Sequence, residues 1–453
     1  MRPHTTAVMA AVVLSVAAVC TDPASRPSWS DLPAAVQRRL AAEGIDRSGL
    51  AAALERIEAE TASRLRDGEW EALVYYALQS RRFTSLPSIE PALSAKAHHE
   101  QRAVPTNARA RVEALAQIFS PATVADERLD YFTRLVADDP RVTPRGIAPV
   151  LIAEYQRVMR FLYEKEFVTP RETSGAATQA RPALYQRRGH STDTAVEAGY
   201  AVHQALGVIQ SLNPAARVRR VLVIGPGLTL APRTGFVEEI PPQSYQPYAV
   251  LDDMLSLGLT ELAHARIDCV DISPRVVSYL ERQRTAEDSP PLLLLSVVPD
   301  APPAPFTPEY RMYFERWGRA VGTAVATPAL PRRLADHLRR SMRLSPATRA
   351  RVHATRANIV TERLDGPPYD LVIATNVLTY LDDVQVLLAV ANVASLLAPG
   401  GHFVHNETRE TLIEAADEVG LPTTHTRTVA FTQPSSNSTP LYDRIWIHRR
   451  RRG

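Results

Sequence analysis

The fold is decided by the stretch RVRRVLVIGPGLTLAP (217–232), in which a short apolar run stops at Gly-Pro-Gly. A run rich in β-branched residues and bounded by glycine and proline is typical of a buried parallel strand. Gly225 and Gly227 allow the chain to turn sharply and let a ligand approach the backbone. The third glycine of a dinucleotide-binding fingerprint is replaced by Leu230. The stretch therefore predicts a ligand site without identifying the ligand.

Strand and helix patterns alternate after this run. Further strands are predicted at 265–272, 351–360, 369–377, 402–407, 425–432 and 443–449, and helices at 274–284, 382–397 and 410–420. Ser273 and Pro274 are typical of the N-cap and the first position of the helix that they begin. The alternation predicts an α/β protein with a doubly wound sheet, in which ligands bind beyond the carboxyl ends of the strands.

The chain before these strands has a different pattern. Apolar residues recur at helical spacing through 32–167, which is therefore predicted to be an α-helical domain. Residues 21–31 and 168–184, rich in proline and small polar residues, are predicted to be linkers. Residues 289–350 carry a proline cluster and then a helix, and we interpret them as an insertion. It either caps the site or lies passively on the surface.

The first twenty residues, MRPHTTAVMAAVVLSVAAVC (1–20), have a basic start and an apolar run at 7–19. That run is too short to span a bilayer but suits the core of a signal peptide. Cys20 resembles the acceptor cysteine of a bacterial lipoprotein, and its lipidation would attach the protein to a membrane. The leader thus predicts export or anchoring. A mis-assigned start codon or a disordered apolar leader in a cytoplasmic protein is the alternative.

Composition and charge limit the kinds of partner that the protein is expected to bind. The 453 residues are 45% hydrophobic and carry a net charge of +3, which is too small to indicate nucleic-acid binding, and none is expected. Cys269 lies in an apolar run and is predicted to be a buried thiol that forms no disulfide with Cys20. The cysteines show no spacing typical of a metal site, and no metal is predicted. The arginine-rich tail 448–452 is predicted to be a frayed, solvated end.

Polar residues follow the predicted strands at the positions where ligands bind. The second strand ends in Asp271, and Asn358 follows the third. The fourth strand and its helix read YDLVIATNVLTYLDD (369–383), followed at the right separation by LLAPGGHFVHNE (396–407). Together these motifs resemble the class I S-adenosylmethionine-dependent methyltransferases, over about 186–448. The Asn-Val-Leu-x-Tyr stretch is similar to that of the chemotaxis-receptor methyltransferases.

The resemblance implies a Rossmann-like, seven-stranded methyltransferase domain at 185–453, with S-adenosylmethionine as cofactor. It implies that Gly225 and Gly227 line the methionine part of the cofactor, that Asp271 holds the ribose, that Ile272 and Asn358 frame the adenine, and that Asn376 and Val377 lie beside the methyl-donor end. The sequence departs from the family at Val223, where an acid usually precedes the first glycine by two residues. The spacing between Gly227 and Asp271 is also longer than usual.

Methyl transfer is an in-line displacement at carbon, for which an enzyme mainly supplies proximity and alignment. A general base helps only where the acceptor is a hydroxyl or an amine. Asn376 and Tyr380 are the candidate catalytic residues because acceptors approach after the fourth strand in this fold. Helix packing is the alternative role of Tyr380. The acceptor, a small molecule or a protein side chain, is not identified, and neither is the oligomeric state.

Four other segments are ambiguous. In 188–200, Asp193 and the hydroxyls either contact the cofactor carboxylate and close the pocket, or cap a helix. In 234–248, two glutamates and two tyrosines, Glu238, Glu239, Tyr245 and Tyr248, either face the acceptor or belong to an ordinary polar loop. His405, Asn406 and Glu407 end the fifth strand, where a lone histidine is more often structural. The loop 80–95 is a candidate cover for the site.

Two other classes of function stay open. One is a non-catalytic, exported relative that keeps the fold for binding or scaffolding. The signal-like leader favours it because S-adenosylmethionine is a cytosolic metabolite, and Val223 points the same way. The other is a nicotinamide-dependent oxidoreductase, which Leu230 disfavours because that enzyme class needs a glycine there.

Overall fold

A computed structural model describes residues 25–119, 127–143, 146–168, 183–233, 235–434 and 440–452. The predicted leader with Cys20 and most of the linker 168–184 lie outside these residues. Within the described ranges, the structure has no helix that is long and apolar enough to cross a membrane.

The region predicted to be helical consists of α-helices. They are α1 (Ala34–Ala42), α2 (Leu50–Gln79), α3 (Pro91–Gln101), α4 (Thr106–Ile118), α5 (Glu127–Ala137) and α6 (Ala148–Tyr163). Pro91 stands at the start of α3, where its missing N–H leaves no hydrogen bond unmade.

The rest of the chain alternates as predicted. Its helices are α7 (Val196–Leu212), α8 (Gln246–Ser256), α9 (Pro274–Thr285), α10 (Pro308–Arg316), α11 (Pro346–Arg349), α12 (Asp383–Leu396) and α13 (Glu410–Glu418). Its strands are β1 (Arg220–Ile224), β2 (Arg266–Asp271), β3 (Leu292–Leu295), β4 (Gly322–Val325), β5 (Arg339–Leu344), β6 (Val352–Arg356), β7 (Tyr369–Ala374), β8 (Leu397–His405), β9 (Thr423–Ala430) and β10 (Tyr442–Arg449).

Seven strands form one sheet in the order β6-β2-β1-β7-β8-β10-β9. Strands β6, β2, β1, β7 and β8 are parallel, and β10 runs antiparallel to both β8 and β9. The order reverses at β1, which pairs with β2 on one side and with β7 on the other. This confirms the predicted Rossmann-like, seven-stranded sheet, and it places the Gly-Pro-Gly turn at the switch point where such sheets bind ligands.

The insertion 289–350 contains more structure than the sequence predicted. Besides helices α10 and α11 it holds a second, antiparallel sheet in the order β3-β5-β4. The pattern gave no sign of these strands because β3 is the uniform run LLLL and β4 has only four residues. Neither strand shows the alternation of apolar and polar residues by which a half-buried strand is recognised.

Helix α2 joins two hydrophobic cores. Its 30 residues make it about 45 Å long. Leu50, Leu54 and Ile57 in its first half pack into the core that covers one face of the sheet, together with residues of α12 and α13. Trp70 and other residues of its second half pack with α3 to α6. The helical region and the sheet therefore share a continuous element.

The prediction of a frayed tail is wrong. His448 and Arg449 belong to β10, and His448 is fully buried. Beyond the strand, the Arg450 N–H donates to the Gly401 carbonyl (2.8 Å) and the Arg451 N–H to the Gly420 carbonyl (3.0 Å). Backbone pairing thus holds the tail against the protein despite its charge. The prediction that Cys269 is buried is confirmed.

Candidate functional site

A cleft lies at the carboxyl ends of β1, β2, β6 and β7, and its volume including the open mouth is about 880 Å³. All the predicted site residues line it: Gly225, Gly227, Asp271, Ile272, Asn358, Asn376, Val377 and Tyr380. Its place, beyond the carboxyl ends of parallel strands, is where doubly wound sheets bind ligands. The roles assigned to these residues remain predictions.

The glycine turn has the backbone that the sequence required. Gly225 and Gly227 have φ values of +63° and +74°, which residues with a side chain rarely adopt. A Cβ at Gly225 would lie 2.5 Å from a methyl group of Val377, and one at Gly227 would lie 2.6 Å from the Thr192 carbonyl oxygen. Both positions are therefore restricted to glycine by conformation and by space.

Asp271 ends β2 with its carboxyl group buried beside this turn. Burial raises its pKa to about 7, although backbone N–H groups of Ser273 and Gly227 donate to it and oppose the shift. The Ser273 N–H lies 2.8 Å from Oδ1. The side chain is thus a strong hydrogen-bond acceptor when ionised, in a place that water reaches poorly.

Asn358 lines the cleft but already has protein partners. Its amide nitrogen donates to the Glu58 carboxylate (3.1 Å), and its amide oxygen accepts from the Val360 N–H (3.1 Å). Glu58 also accepts from the Thr361 hydroxyl (2.6 Å). Since Glu58 belongs to α2, this end of the cleft is fixed by the helical region. The sequence gave no sign of that contact.

Asn376 has a φ of +59°, which is uncommon for a residue with a side chain, and it is exposed at the cleft. Asn406 holds it by two hydrogen bonds: the Asn376 N–H donates to the Asn406 amide oxygen (2.8 Å), and the Asn406 amide nitrogen donates back to the Asn376 side chain (2.9 Å). Strained backbone that its surroundings hold in place is typical of functional sites.

Tyr380 is buried and fits both roles weighed for it. The residue lines the cleft, its hydroxyl accepts a hydrogen bond from Arg188 (3.2 Å), and its ring packs against Tyr185 and His190. Burial raises the pKa of the phenol despite Arg188, so the hydroxyl keeps its proton. With Arg188 as donor, the hydroxyl hydrogen itself takes no part in that bond.

Within segment 188–200, residues 190–194 line the cleft, and none of their side chains caps a helix. Helix α7 begins at Val196, and no side chain caps it. Instead, the Leu228 N–H donates to the Thr192 carbonyl (2.7 Å) and the Thr192 hydroxyl donates to the Leu228 carbonyl (3.0 Å). These bonds fasten 190–194 onto the chain that follows the glycine turn, so that all five residues border the cleft.

A buried ion pair lies behind this segment. Arg188 donates from Nε to both carboxylate oxygens of Glu71 (3.1 and 3.0 Å), and the Tyr75 hydroxyl donates to the same carboxylate (2.9 Å). Burial alone would raise the pKa of Glu71, but the Arg188 guanidinium holds it below its usual value. Both partners are almost inaccessible to water, and they tie α2 to the wall of the cleft.

Other predicted contacts with the ligand are absent from the described cleft. Glu238 accepts from the Ser80 hydroxyl (2.8 Å), and Glu239 pairs with Arg333 (2.6 Å). Tyr245 and Tyr248 are buried and do not line the cleft, although the Tyr245 hydroxyl lies 3.3 Å from that of Thr194, which does. The loop 80–95 does not border it either. Thr61 and Leu65 of α2 take that place. The sequence of an amphipathic helix indicates which of its faces is buried, but not which part of the protein packs against that face.

His405 has the structural role that is commoner for a lone histidine. It is fully buried, and its Nε2 lies 2.8 Å from Nε2 of His448. The Glu407 N–H donates to Nδ1 of His405, and Nδ1 of His448 lies 2.8 Å from the Leu421 carbonyl. The pair is neutral because burial lowers the pKa of both rings, to about 4 in His448.

No family model matches this chain, and no curated protein matches its sequence. Solved structures do match. The N-methyltransferase NodS from Bradyrhizobium japonicum WM9, also crystallised with S-adenosyl-L-homocysteine, is 18% identical over 56% of this chain and 98% of its own, with a TM-score of 0.28. Magnesium protoporphyrin IX methyltransferase (ChlM) from Synechocystis PCC 6803, with bound S-adenosylmethionine, is 11% identical over 64% and 93%, with a TM-score of 0.28.

TrmN from Thermus thermophilus is 14% identical over 55% of this chain and 48% of its own, with a TM-score of 0.27. Identities and TM-scores this low carry no functional argument. The class of the fold, a Rossmann-like seven-stranded sheet, follows from the strand order.

Proposed function

We propose that the protein is a methyltransferase that uses S-adenosylmethionine. The observation that carries the proposal is the buried Asp271 carboxyl group beside the glycine turn, at the switch point of the sheet. A carboxylate there accepts hydrogen bonds from both hydroxyls of a ribose. The turn leaves room for a ligand to approach the backbone at Gly225 and Gly227, which have no side chain to block it.

The charge of the cleft supports this cofactor over a dinucleotide. Two carboxylic acids, Asp193 and Asp271, border the cleft, and no lysine or arginine does among the described lining residues. Burial and the nearby Arg64 lower the pKa of His190 to about 3, so this ring is neutral. A cleft with acids and no cation suits S-adenosylmethionine, which carries a net positive charge, and disfavours the pyrophosphate of a dinucleotide.

Bound S-adenosylmethionine would supply an electrophilic methyl group, and the chain would supply alignment. Asp271 would fix the ribose, while Asn376 and Val377, held at the end of β7, would border the reacting end. The neutral Tyr380 hydroxyl would donate a hydrogen bond to a polar group of the acceptor. Helix α2 would close the cleft through Thr61 and Leu65 and exclude water from the reaction.

Calorimetric titration of the protein with S-adenosylmethionine tests the proposal. We expect binding by the unsubstituted protein and a loss of about 10- to 100-fold in affinity in Asp271→Asn, since the amide loses charge-assisted hydrogen bonds to the ribose. Asp268→Asn is the matched control, because Asp268 lies on the same strand but pairs with Arg220 (2.8 Å), away from the cleft.

Binding of NAD in preference to S-adenosylmethionine would contradict the proposal in favour of an oxidoreductase. No binding of either by a folded protein would favour the scaffolding alternative. Equal losses in the two variants would show that Asp271 contributes to stability and not to a ribose contact.

The same carboxyl group predicts a pH dependence. The ribose hydroxyls donate to the ionised form, and burial raises the pKa of Asp271 to about 7. Affinity should therefore be full above pH 7 and fall about tenfold for each pH unit below it. Titration with 5′-deoxy-5′-methylthioadenosine between pH 8 and 5.5 measures this, because that nucleoside has the ribose but no amino-acid part that titrates. The affinity of Asp271→Asn should not change over this range, and a sloping profile there would contradict the assignment.

A further inference from the structure

The methionine part of S-adenosylmethionine ends in an ammonium group, which needs an acceptor when it leaves water. Strand β1 offers none near the glycine turn. Val223 stands where a carboxylate would precede the first glycine by two residues, and it is fully buried in the hydrophobic core. An ammonium group bound beside the glycine turn would therefore need a carboxylate from another part of the chain.

Asp193 lies at that end. The hydrogen bonds between Thr192 and Leu228 fasten its segment beside the glycine turn, and the Thr192 carbonyl is the nearest atom to a Cβ built on Gly227. Asp271 is the other acid on the described lining, and its surroundings suit the ribose. The opposite end of the segment, at His190, contacts the ring of Tyr380 and so lies toward the reacting end.

The Asp193 carboxyl group has little to bind within the protein. Among the described residues, its hydrogen-bond partner is the Leu230 N–H at 3.4 Å, which is long for such a bond, and no ion pair with it forms. Burial raises its pKa to about 6, while the more distant Arg188 and Arg233 oppose the shift and Glu71 reinforces it. A cation placed beside it would keep it ionised.

We propose that Asp193 holds the α-ammonium group of S-adenosylmethionine, in place of the acid that is missing at Val223. The inference rests on the proposed function and goes beyond it. It makes Asp193 the residue by which the site distinguishes nucleosides that carry an amino-acid part from those that do not. Its segment, and not β1, would then supply the charge that the methionine part needs.

Two ligands test this by calorimetry at pH 7.5. S-adenosylhomocysteine has the amino-acid part, and 5′-deoxy-5′-methylthioadenosine lacks it but keeps adenine and ribose. Asp193→Asn should weaken binding of S-adenosylhomocysteine by about 10- to 100-fold and leave that of methylthioadenosine unchanged. Asp271→Asn, which acts on the ribose, should weaken both ligands by similar factors. Retained binding of methylthioadenosine also shows that the Asp193→Asn site is folded.

Other outcomes overturn the inference in distinguishable ways. If Asp193→Asn binds S-adenosylhomocysteine as the unsubstituted protein does, or loses both ligands equally, Asp193 does not hold the ammonium group, and the proposed function stands. If the unsubstituted protein binds neither ligand, the proposed function fails and the assignment of Asp193 fails with it.

Discussion

Replacement of Glu71 by alanine is expected to destabilise the protein by about 3–5 kcal/mol. The change leaves the Arg188 guanidinium buried without its counter-ion, beside the Tyr380 hydroxyl and the rings of Phe161 and Tyr185. An uncompensated charge in a dry interior is among the costliest defects that a single substitution produces. Because Glu71 lies on α2 and Arg188 beside the cleft, ligand affinity should fall together with stability.

Urea denaturation followed by circular dichroism measures the change in the free energy of unfolding. Glu60→Ala is the control, because Glu60 is also on α2 and pairs with Arg64 at 3.5 Å, but its side chain is half exposed. That variant should lose less than about 1 kcal/mol. Adding Arg188→Met to Glu71→Ala should restore part of the loss, since it removes the uncompensated charge. A loss in Glu71→Ala no larger than that of the control would contradict the ion pair.

Replacement of Gly227 by alanine should abolish tight binding of S-adenosylmethionine. An L-residue at its φ of +74° is strained by about 1–3 kcal/mol. The new Cβ would also lie 2.6 Å from the Thr192 carbonyl oxygen, which must then move and give up its bond to Leu228. A shift of about 1 Å in groups that contact a ligand costs on the order of 100-fold in function, and we expect a loss of affinity of that order.

Gly207→Ala is a matched control for this substitution. Gly207 lies within helix α7, and a Cβ built there meets no atom within 4 Å. Alanine should therefore stabilise the protein by about 0.5–1 kcal/mol and leave ligand affinity unchanged. Thermal melts and calorimetry on both variants test the pair. Normal affinity in a folded Gly227→Ala protein would show that the turn does not approach the ligand.

The first of these predictions depends on the helical region as part of the site. Helix α2 lines the cleft through Thr61 and Leu65, anchors Asn358 through Glu58, and neutralises Arg188 through Glu71. A fragment that begins after α2 would expose each of these partners. The helical region is thus a wall of the cleft and a source of its charge balance.

The sequence by itself determined the central sheet and the residues at its edge. Each of the seven strands was found from a local apolar run with its turn residues, and Gly225, Gly227 and Asp271 from their places at strand ends. Such features can be predicted from sequence because the spacing of apolar residues, the turn residues and the ends of strands depend on neighbours in the chain. The parallel topology then brings those ends together without further information.

Only the tertiary structure decided what surrounds that edge. Arg64 shows why: its guanidinium donates to the carbonyls of Tyr185, Arg188 and Tyr380, which lie 121 to 316 residues away along the chain. Three other features also depend on residues far apart along the chain. They are the contacts of Glu71, the position of Asp193 beside the cleft and the backbone pairing of the arginine-rich tail. They depend on the shapes of packed elements and on the backbone groups left unpaired, and a local pattern of residues carries neither.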